Sequence, residues 1–254
     1  MNSEDSAMVS EPDVVGFIHS IETAGAVDGP GLRYVVFLQG CHLRCQYCHN
    51  PDTWTLDGGE KISADRLSAN IGKYRDFLVK YDGGVTLSGG EPLIQYDFVL
   101  ETVRRCKAQG IHVALDTNGF LGDRVGNDLL TLVDLWILDL KSFDSEVHKR
   151  VTGVSNPAIL RFAERLAENG KSLWIRFVVV PGLTDGARNV AGLANFVGRL
   201  PKVDRVELLP FHNLGAYKWR ALGLDYRLDD TPAPSDANMT RVRQAFADCG
   251  VEAF

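Results

Sequence analysis

Short apolar runs alternate with segments of helical periodicity along most of this chain. The runs are nearly continuous in Val, Ile, Leu and Phe, which is typical of strands buried on both faces of a sheet, and they cover residues 33–39, 84–87, 111–115, 135–140, 173–180 and 205–209. Strands that alternate with helices predict a parallel sheet. Six such units fit an α/β fold that is either a curved, partial (β/α)6 barrel or an open, doubly wound sheet.

Five helices are predicted between or after these strands, because apolar residues recur three or four positions apart. The first begins after a predicted N-terminal cap at Ser63, and the second and third stop at Gly110 and Gly170. Their apolar stripes are Leu67, Ile71, Tyr74 and Leu78; Val99, Val103 and Cys106; Ile159, Ala163 and Leu166; Val190, Leu193, Val197 and Leu200; and Met239, Val242, Phe246 and Cys249. The turn-rich segment 223–235 predicts a surface loop before the last helix.

Composition and charge narrow the class of protein. A chain of 254 residues has room for one or two domains, and 45% hydrophobic with 24% charged residues is ordinary for a globular protein. The formal net charge of −6 argues against a nucleic-acid binder, and the chain has no uncharged apolar run of about 18 residues that would predict a membrane span. Residues 1–14 are polar and lack the apolar core of a secretory signal. We therefore expect a disordered leader over residues 1–14 and one domain over residues 15–254.

Three of the five cysteines fall within eight residues, at Cys41, Cys45 and Cys48. Cys106 and Cys249 lie far away on helical stripes, which predicts core positions. An odd number of cysteines with one tight triplet is a poor disulfide framework and indicates a reducing, cytoplasmic location.

Cysteine thiolates are soft ligands that suit zinc or an iron–sulfur cluster. A structural zinc ion would need a fourth ligand, for which His42 or His49 is available, whereas a [4Fe–4S] cluster on three cysteines would keep one iron open. The loop by itself leaves both interpretations open.

Polar residues that are able to do chemistry follow the predicted strands. In parallel barrels the active site lies at the carboxyl ends of the strands. The segments at those ends are Gln39-Gly40-Cys41, Ser88-Gly89-Gly90-Glu91-Pro92, Asp116-Thr117-Asn118-Gly119, Asp139-Leu140-Lys141, Arg176 with Pro181, and Pro210-Phe211-His212-Asn213. This gathering at one rim is the pattern of an enzyme.

The cysteine spacing, with Tyr47 before the last cysteine, resembles that of the radical S-adenosylmethionine (SAM) enzymes, and the Gly89-Gly90-Glu91 segment is similar to a second motif of that superfamily. Further motifs resemble the family of pyruvate formate-lyase activating enzymes. They are Asp28-Gly29-Pro30-Gly31 with Arg33, Tyr47-Cys48-His49-Asn50-Pro51, Leu115-Asp116-Thr117-Asn118-Gly119, Asp139-Leu140-Lys141, Trp174-Ile175-Arg176 with Pro181-Gly182, and Leu208 to His212 with Lys218-Trp219. The ordered set covers about residues 15–254.

The resemblance implies a partial (β/α)6 barrel with one [4Fe–4S] cluster on Cys41, Cys45 and Cys48. The amino and carboxylate groups of SAM would chelate the open iron. Reductive cleavage of SAM would give a 5′-deoxyadenosyl radical, which takes a hydrogen atom from a glycine α-carbon of the partner enzyme. In this arrangement the cofactor supplies the difficult chemistry, while the protein binds, orients and shields it.

The resemblance also implies roles for individual residues. Lys141 and His212 would be catalytic, and the SAM contacts would be Tyr47, Cys48, His49, Gly89, Gly90, Glu91, Asp116, Asp139, Leu140, Lys141 and His212. Asp116, Thr117 and Asp139 would hold a monovalent cation, and Asp28, Gly29 and Gly31 would bind the partner's glycine loop. The ordinary alternatives are caps or surface ion pairs for the polar residues, and plain turns for the glycine pair and for residues 28–31.

One further feature of the sequence bears on the number of clusters and on the identity of the partner. No cysteine occurs from His49 to Leu87, where activating enzymes of other glycyl-radical enzymes often carry an inserted ferredoxin-like domain with extra cysteines. By the resemblance we expect a monomer with one cluster, pyruvate formate-lyase as the protein substrate, and flavodoxin or ferredoxin as the electron donor. The alternatives are an activating enzyme of another glycyl-radical enzyme, a radical enzyme that acts on a small molecule, and a zinc-stabilised binding module.

Overall fold

The computed structural model of the chain describes residues 13–254. Residues 1–12 of the predicted leader lie outside the described residues. Its last two residues are described, and both contact the start of the first helix. The backbone N–H of Ala64 donates to the carbonyl oxygen of Val14 at 2.8 Å, and the N–H of Asp65 donates to the Asp13 carboxylate at 3.3 Å.

One eight-stranded sheet organises the described chain. Its strands are β1 (Val15–Gly25), β2 (Arg33–Leu38), β3 (Glu60–Ser63), β4 (Gly84–Gly89), β5 (His112–Thr117), β6 (Leu135–Asp139), β7 (Ser172–Val179) and β8 (Arg205–Pro210). Their spatial order is β3-β1-β2-β4-β5-β6-β7-β8. The run from β2 to β8 is parallel, so all six predicted strands are confirmed, and the sheet is open, as in a partial barrel.

The two strands that the sequence pattern missed are β1 and β3. Both are antiparallel additions at one end of the sheet. The second half of β1 is largely exposed, and β3 has only four residues. A partly solvated edge does not need a continuous apolar run, so the hydrophobic pattern gave no signal there.

Nine helices are present between residues 13 and 254. They are α1 (Ala64–Gly72), α2 (Arg75–Lys80), α3 (Tyr96–Ala108), α4 (Asn127–Leu132), α5 (Ser145–Thr152), α6 (Pro157–Glu168), α7 (Ala187–Gly198), α8 (Ala216–Ala221) and α9 (Asp236–Ala247). The Ser63 cap is confirmed, since its side chain accepts a hydrogen bond from the N–H of Arg66. The helices α4, α5 and α8 were missed because six to eight residues are too few to establish a helical period.

The stripe predicted over residues 67–78 is wrong in one respect: it spans two helices, not one. The chain turns after Gly72, a poor helix former, and the N–H of Tyr74 donates to the carbonyl oxygen of Ile71. Tyr74 is consequently 38% exposed instead of buried. Cys249 likewise lies beyond the end of α9 and is half-buried against the core, whereas Cys106 is fully buried as predicted.

Alternation along the strands separates the core from the site. Leu38, Leu87, Leu115 and Leu138 pack with the helices in the main core. The residue next to each of them, which is Phe37, Ser88, Asp116 or Asp139, lines a cavity on the other face. Successive side chains of a strand point to opposite faces, so the apolar outer face binds the helices and the inner face is free to carry polar groups.

Candidate active site

A cavity of about 490 Å³ lies on the inner face of the sheet, and most of the predicted site residues line it. Its walls include all three clustered cysteines and residues from the ends of β4 to β8. The predicted residues found there are Asp28, Cys41, Cys45, Tyr47, Cys48, His49, Gly89, Gly90, Asp116, Thr117, Asp139, Lys141 and His212. Four others, Glu91, Leu140, Gly29 and Gly31, are not among the lining residues.

The cysteine loop follows β2 and is anchored on both sides. The N–H of Gly40 donates to the carbonyl oxygen of Thr53 at 2.7 Å, which closes the loop on itself. The N–H groups of Arg44 and Gln46 donate to Thr152 and Val151 at the end of α5. Local turns and one distant helix therefore hold the three thiols at the rim of the cavity.

Burial raises the pKa of the thiols of Cys41, Cys45 and Cys48, and that of Cys41 reaches about 12. Hydrogen bonds to sulfur work in the opposite direction: the N–H groups of Leu43 and Asn50 donate to Cys41 and Cys48, respectively. Thiolates at such a buried site need a positively charged partner, and metal ions supply one. Three clustered thiols with N–H donors to sulfur fit an iron–sulfur cluster.

The zinc alternative finds less support in the geometry. Between residues 13 and 254, no group of three or more His, Cys, Asp or Glu side chains is placed to hold a single metal ion, and this applies to the three cysteines as well, so the comparison with zinc depends on the histidines. The ring of His49 instead packs on His212 at 4.4 Å between centroids and contacts the His212 carbonyl oxygen at 3.2 Å, while His42 is exposed. Tetrahedral zinc needs four ligands around one point, and these histidines are occupied elsewhere or face solvent.

Lys141 is a cation of the cavity that lies beside the cysteine loop. Its Nζ lies 2.6 Å from the Asp139 carboxylate and 5.6 Å from the ring centroid of Tyr47. Burial opposes the charge on Lys141, but Asp139, Tyr47 and Cys45 outweigh it and raise the pKa well above its usual value. The ammonium group is therefore permanently charged beside the thiols.

Asp116 faces a second cation, Arg176 of β7. The Asp116 carboxylate accepts a hydrogen bond from the hydroxyl of Ser88 at 2.8 Å and lies 3.5 Å from the Arg176 guanidinium. Burial outweighs the attraction of Arg176 and raises the pKa of Asp116 to about 6. Arg176 also pairs with Glu207 at 2.8 Å and donates to the carbonyl oxygen of Val27.

The sequence motifs included Arg176 but assigned it no role. A signal was present, because an arginine inside an otherwise apolar strand buried on both faces must find a charged partner. Its partner could not be identified from the sequence, since Asp116 lies 60 positions away.

The side chains predicted to bind a monovalent cation have other partners in the structure. Asp116 is neutralised by Arg176, and Asp139 by Lys141. The hydroxyl of Thr117 donates to Glu91 at 2.7 Å and accepts from the N–H of Gly119. The cation therefore stays a prediction.

Glu91 lies behind the cavity wall instead of lining it. Its carboxylate is 1% exposed and accepts hydrogen bonds from the N–H of Leu93, the hydroxyl of Thr117 and the N–H of Asn118, at 2.7–3.0 Å. Burial raises its pKa to about 7. Asn118 in turn donates to the Cys41 sulfur at 3.8 Å, so Glu91 positions a residue that touches a cluster-loop thiol.

Leu140 also lies behind the cavity wall, because successive side chains of an extended chain face opposite sides. It is 1% exposed and belongs to the main core, while its neighbours Asp139 and Lys141 face the cavity. The N–H of Leu140 donates to the carbonyl oxygen of Arg176 at 2.9 Å. Its contribution lies in fixing the backbone between two charged side chains.

Gly89 and Gly90 lie where the backbone leaves no room for a side chain. A Cβ atom on Gly90 would lie 2.2 Å from the carbonyl oxygen of Gly40, and one on Gly89 would lie 2.2 Å from the backbone nitrogen of Leu38. Gly89 also has a φ of +112°. Glycine is needed here because β4 passes directly against the start of the cysteine loop.

The Asp28 loop precedes β2, at the end of that strand opposite the cysteine loop, and Asp28 lines the cavity. The hydroxyl of Thr86 donates to the carbonyl oxygen of Asp28 at 2.7 Å, and the buried Arg33 guanidinium donates to Thr86 and, at 3.4 Å, to the carbonyl oxygen of Pro30. Burial raises the pKa of Asp28. Gly31 has a φ of +65° and would place a Cβ 2.3 Å from the carbonyl oxygen of Tyr81. Residues 29–31 are thus a packed turn that presents the Asp28 side chain.

The short helix α8 supports the cysteine loop from outside the cavity. The indole N–H of Trp219 donates to the carbonyl oxygen of Cys48 at 2.8 Å, and its ring meets Trp54 edge-on at 5.0 Å. Lys218 contacts Asn50 and Asp52 at 2.9 Å. Sequence reasoning missed this support because α8 lies about 170 residues after the loop.

Comparisons with known proteins agree with this site. Residues 35–194 match the radical SAM superfamily. The chain is 46% identical over 232 residues to the pyruvate formate-lyase 1-activating enzyme of Escherichia coli (strain K12), covering 91% of this chain and 94% of that protein. Among solved structures, a domain of a pyruvate-formate lyase-activating enzyme from Bacteroides vulgatus is 31% identical with a TM-score of 0.58, covering 68% of this chain and 98% of that one. A radical SAM methyltransferase from Sphaerobacter thermophilus shares the fold at 18% identity, with a TM-score of 0.64 and coverage of 90% and 70%.

Proposed function

We propose that this chain, which belongs to the radical SAM superfamily and to its pyruvate formate-lyase activating enzymes, installs a glycyl radical on pyruvate formate-lyase. One observation carries the proposal. The three clustered thiols line a single cavity together with Asp139, Lys141, His212 and Asp28.

Cys41, Cys45 and Cys48 would hold one [4Fe–4S] cluster through three of its irons. Bound together, the reduced cluster and SAM supply a 5′-deoxyadenosyl radical that can remove a hydrogen atom from a glycine α-carbon. The hydrogen bonds from Leu43, Asn50 and Asn118 to sulfur would stabilise the thiolates, and Trp219 would fix the backbone of Cys48.

The charges of the cavity suit the amino-acid end of SAM, which carries both an ammonium and a carboxylate. Lys141 and Arg176 provide positive charge, while Asp116 and Asp139 provide negative charge. The ligand groups would exchange with ion pairs that already exist, so charged groups remain paired when SAM enters. A cavity of about 490 Å³ lies within the usual range for small-molecule sites.

His212 and His49 would bind the nucleoside end of SAM. Their rings lie 4.4 Å apart between centroids and are tilted by 34°, both line the cavity with Phe211 and Pro210, and Tyr47 lines the same cavity close to Lys141. Aromatic faces next to hydrogen-bonding nitrogens suit a purine. Burial lowers the pKa of His49, so that it is neutral at pH 7 and available as a hydrogen-bond partner.

The protein substrate would reach the cavity from the end that Asp28 occupies. Its glycine must pass close to the site of radical formation, and the Asp28 carboxylate would accept hydrogen bonds from an extended peptide.

We further propose that the enzyme acts in the cytoplasm as a monomer and takes its electron from flavodoxin or ferredoxin. All five cysteines are free thiols, which fits a reducing compartment, and no helix among the described residues is long and apolar enough to cross a membrane.

The test is anaerobic reconstitution followed by activation. We expect about four iron and four sulfide per chain. Electron paramagnetic resonance should show SAM-dependent formation of a glycyl radical on pyruvate formate-lyase. Cys45→Ala should lose both the cluster and the radical. A tightly held zinc ion without sulfide would overturn the cluster. Radical formation on a different glycyl-radical enzyme, and none on pyruvate formate-lyase, would overturn the partner.

A further inference from the structure

We propose that Arg44, Lys149 and Arg150, here called the basic face, dock an electron-carrier protein whose surface presents carboxylates around its redox group. The inference rests on the proposed function, because reductive cleavage of SAM needs one electron from outside this chain. The basic face marks the place on this chain where that electron would enter.

The cysteine loop has an inner side and an outer side. On the inner side, Cys41, Cys45 and Cys48 line the cavity. On the outer side, the exposed Arg44 donates through Nη1 to the carbonyl oxygens of Cys41 at 2.7 Å and Leu43 at 2.9 Å. A group docked on Arg44 would thus be separated from a cluster-ligating residue by one side chain and one hydrogen bond.

The other two cations belong to α5, which is fastened to the same loop. The N–H of Arg44 donates to the carbonyl oxygen of Thr152 at 2.8 Å, and the side-chain amide of Gln46 donates to that of Arg150 at 2.6 Å. Lys149 and Arg150 are both exposed. The sequence separates them from Arg44 by about 100 positions, and the fold places all three around one short loop.

The charge of the basic face is not neutralised by the described part of the chain. Among residues 13–254, no carboxylate lies within ion-pair distance of Arg44, Lys149 or Arg150, whereas the nearby Lys218 and Arg220 are paired with Asp52 and Asp229. Glu146, the exposed acidic residue of α5, lies at the opposite end of that helix.

Charge complementarity therefore selects an acidic partner for this surface. The whole chain has a net charge of −6, so the molecule as a whole repels an acidic carrier, and the unpaired cations of the basic face offset that repulsion beside the cysteine loop. Lys149 and Arg150 also complement the dipole at the end of α5. That explanation does not extend to Arg44, which lies in a loop and packs its guanidinium 4.9 Å from the Trp54 ring centroid.

The position of the basic face leaves the protein substrate unhindered. The Asp28 loop precedes β2 and the cysteine loop follows it, so the two loops lie at opposite ends of that strand, and Arg44 belongs to the cysteine loop. Electron donor and protein substrate could then bind at the same time, which a shared entrance would forbid.

The test uses the reconstituted enzyme with reduced flavodoxin as the probe. We expect the double variant K149E/R150E to weaken flavodoxin binding and slow cluster reduction by roughly ten- to a hundred-fold at low ionic strength, with the difference shrinking as salt is added. Binding is measured by titration, and reduction by the loss of cluster absorbance. Reduction by dithionite and dithionite-driven SAM cleavage should not change.

The matched control is R199E/K202E, which lowers the net charge by the same amount. Both residues are exposed in the connection from α7 to β8, at the other end of the strands, and form no ion pair with a described carboxylate. If this variant slows flavodoxin as much as K149E/R150E, or if K149E/R150E binds and reduces normally, the basic face is not the docking site. Loss of dithionite-driven cleavage in the unsubstituted enzyme would instead contradict the proposed function.

Discussion

The indole nitrogen of Trp219 lies 2.8 Å from the carbonyl oxygen of Cys48, and this hydrogen bond joins residues 171 positions apart. It ties α8 to the last cysteine of the cluster loop. Trp219 is 7% exposed and packs on both Trp54 and Tyr226, so little else can replace the interaction.

Trp219→Phe should destabilise the cluster loop while leaving the fold intact. The substitution keeps most of the aromatic packing and leaves the Cys48 carbonyl without its donor, at a cost of about 1 kcal/mol. We expect faster loss of cluster absorbance in the presence of an iron chelator. Trp174→Phe is the control, since Trp174 packs on Arg205 away from the loop. Equal chelation rates for the two variants would show that the hydrogen bond does not support the cluster.

Substitution of the cysteines should separate ligands from core residues. Cys41→Ala, Cys45→Ala and Cys48→Ala should each abolish SAM cleavage, because a cluster held by three thiolates has no spare ligand. Cys106→Ala should keep the cluster spectrum and lose roughly 1 kcal/mol of unfolding free energy, because Cys106 is fully buried in the core. Iron and sulfide analysis and an assay of SAM cleavage check the substitutions of the three clustered cysteines. Denaturant unfolding checks Cys106→Ala. SAM cleavage by Cys45→Ala at the normal rate would contradict the assignment.

Glu91→Ala should lower stability more than a typical substitution of a carboxylate. It would leave the buried donors of Leu93, Thr117 and Asn118 without their acceptor, at a cost of roughly 3 kcal/mol in the free energy of unfolding. Glu101→Ala is the control, because Glu101 lies half-buried on α3 in a side-chain ion pair with Arg105. A loss below about 1 kcal/mol by urea unfolding would mean that water or a rearrangement replaces Glu91.

Asp28→Ala should weaken binding of the glycine-loop peptide and leave the affinity for SAM unchanged. Loss of a charge-assisted hydrogen bond of roughly 1.5–3 kcal/mol would weaken peptide affinity by about ten- to a hundred-fold. Titrations of radical yield against peptide, and of SAM affinity, measure the two effects separately. Normal peptide binding, or an equal loss of SAM, would show that residues 28–31 act only as a turn.

The contribution of His112 to stability should fall as the pH drops from about 7 through the range in which its side chain takes up a proton, whereas Glu91 and Asp116, whose pKa values are raised by burial, contribute in the opposite direction. The Nδ1 of His112 accepts a hydrogen bond from Arg33 at 3.2 Å, and burial together with Arg33 lowers the pKa of His112 below its usual 6.5. The unfolded chain then binds a proton more readily than the folded one, so the stability present above pH 6.5 is lost on acidification.

The variant His112→Asn tests this assignment, because its amide oxygen can still accept from Arg33 but does not titrate in this range. In unfolding free energies measured from pH 5 to pH 8, the variant should lack the loss of stability that protonation of His112 causes on acidification in the unsubstituted chain. Identical profiles would place the pH dependence on other groups, such as His148.

Local patterns were enough to predict the elements on which the site is built. The six parallel strands, Ser63 as a cap and the buried Cys106 follow from residue spacing, which reports the face that each side chain presents. The prediction that polar segments meet at one rim also held for Asp116, Asp139 and Lys141, because parallel strands end at the same edge.

Only the tertiary structure decided which of these residues face the cavity and what they contact. Glu91 and Leu140 belong to motifs of the rim, yet both point into the protein, because neighbouring residues of an extended chain face opposite sides. Arg176 bridges Asp116, Glu207 and Val27, and Trp219 reaches Cys48, over separations that no spacing in the sequence encodes. Sequence spacing determines the direction of a side chain along its own element, whereas its partner depends on which elements the folded sheet brings side by side.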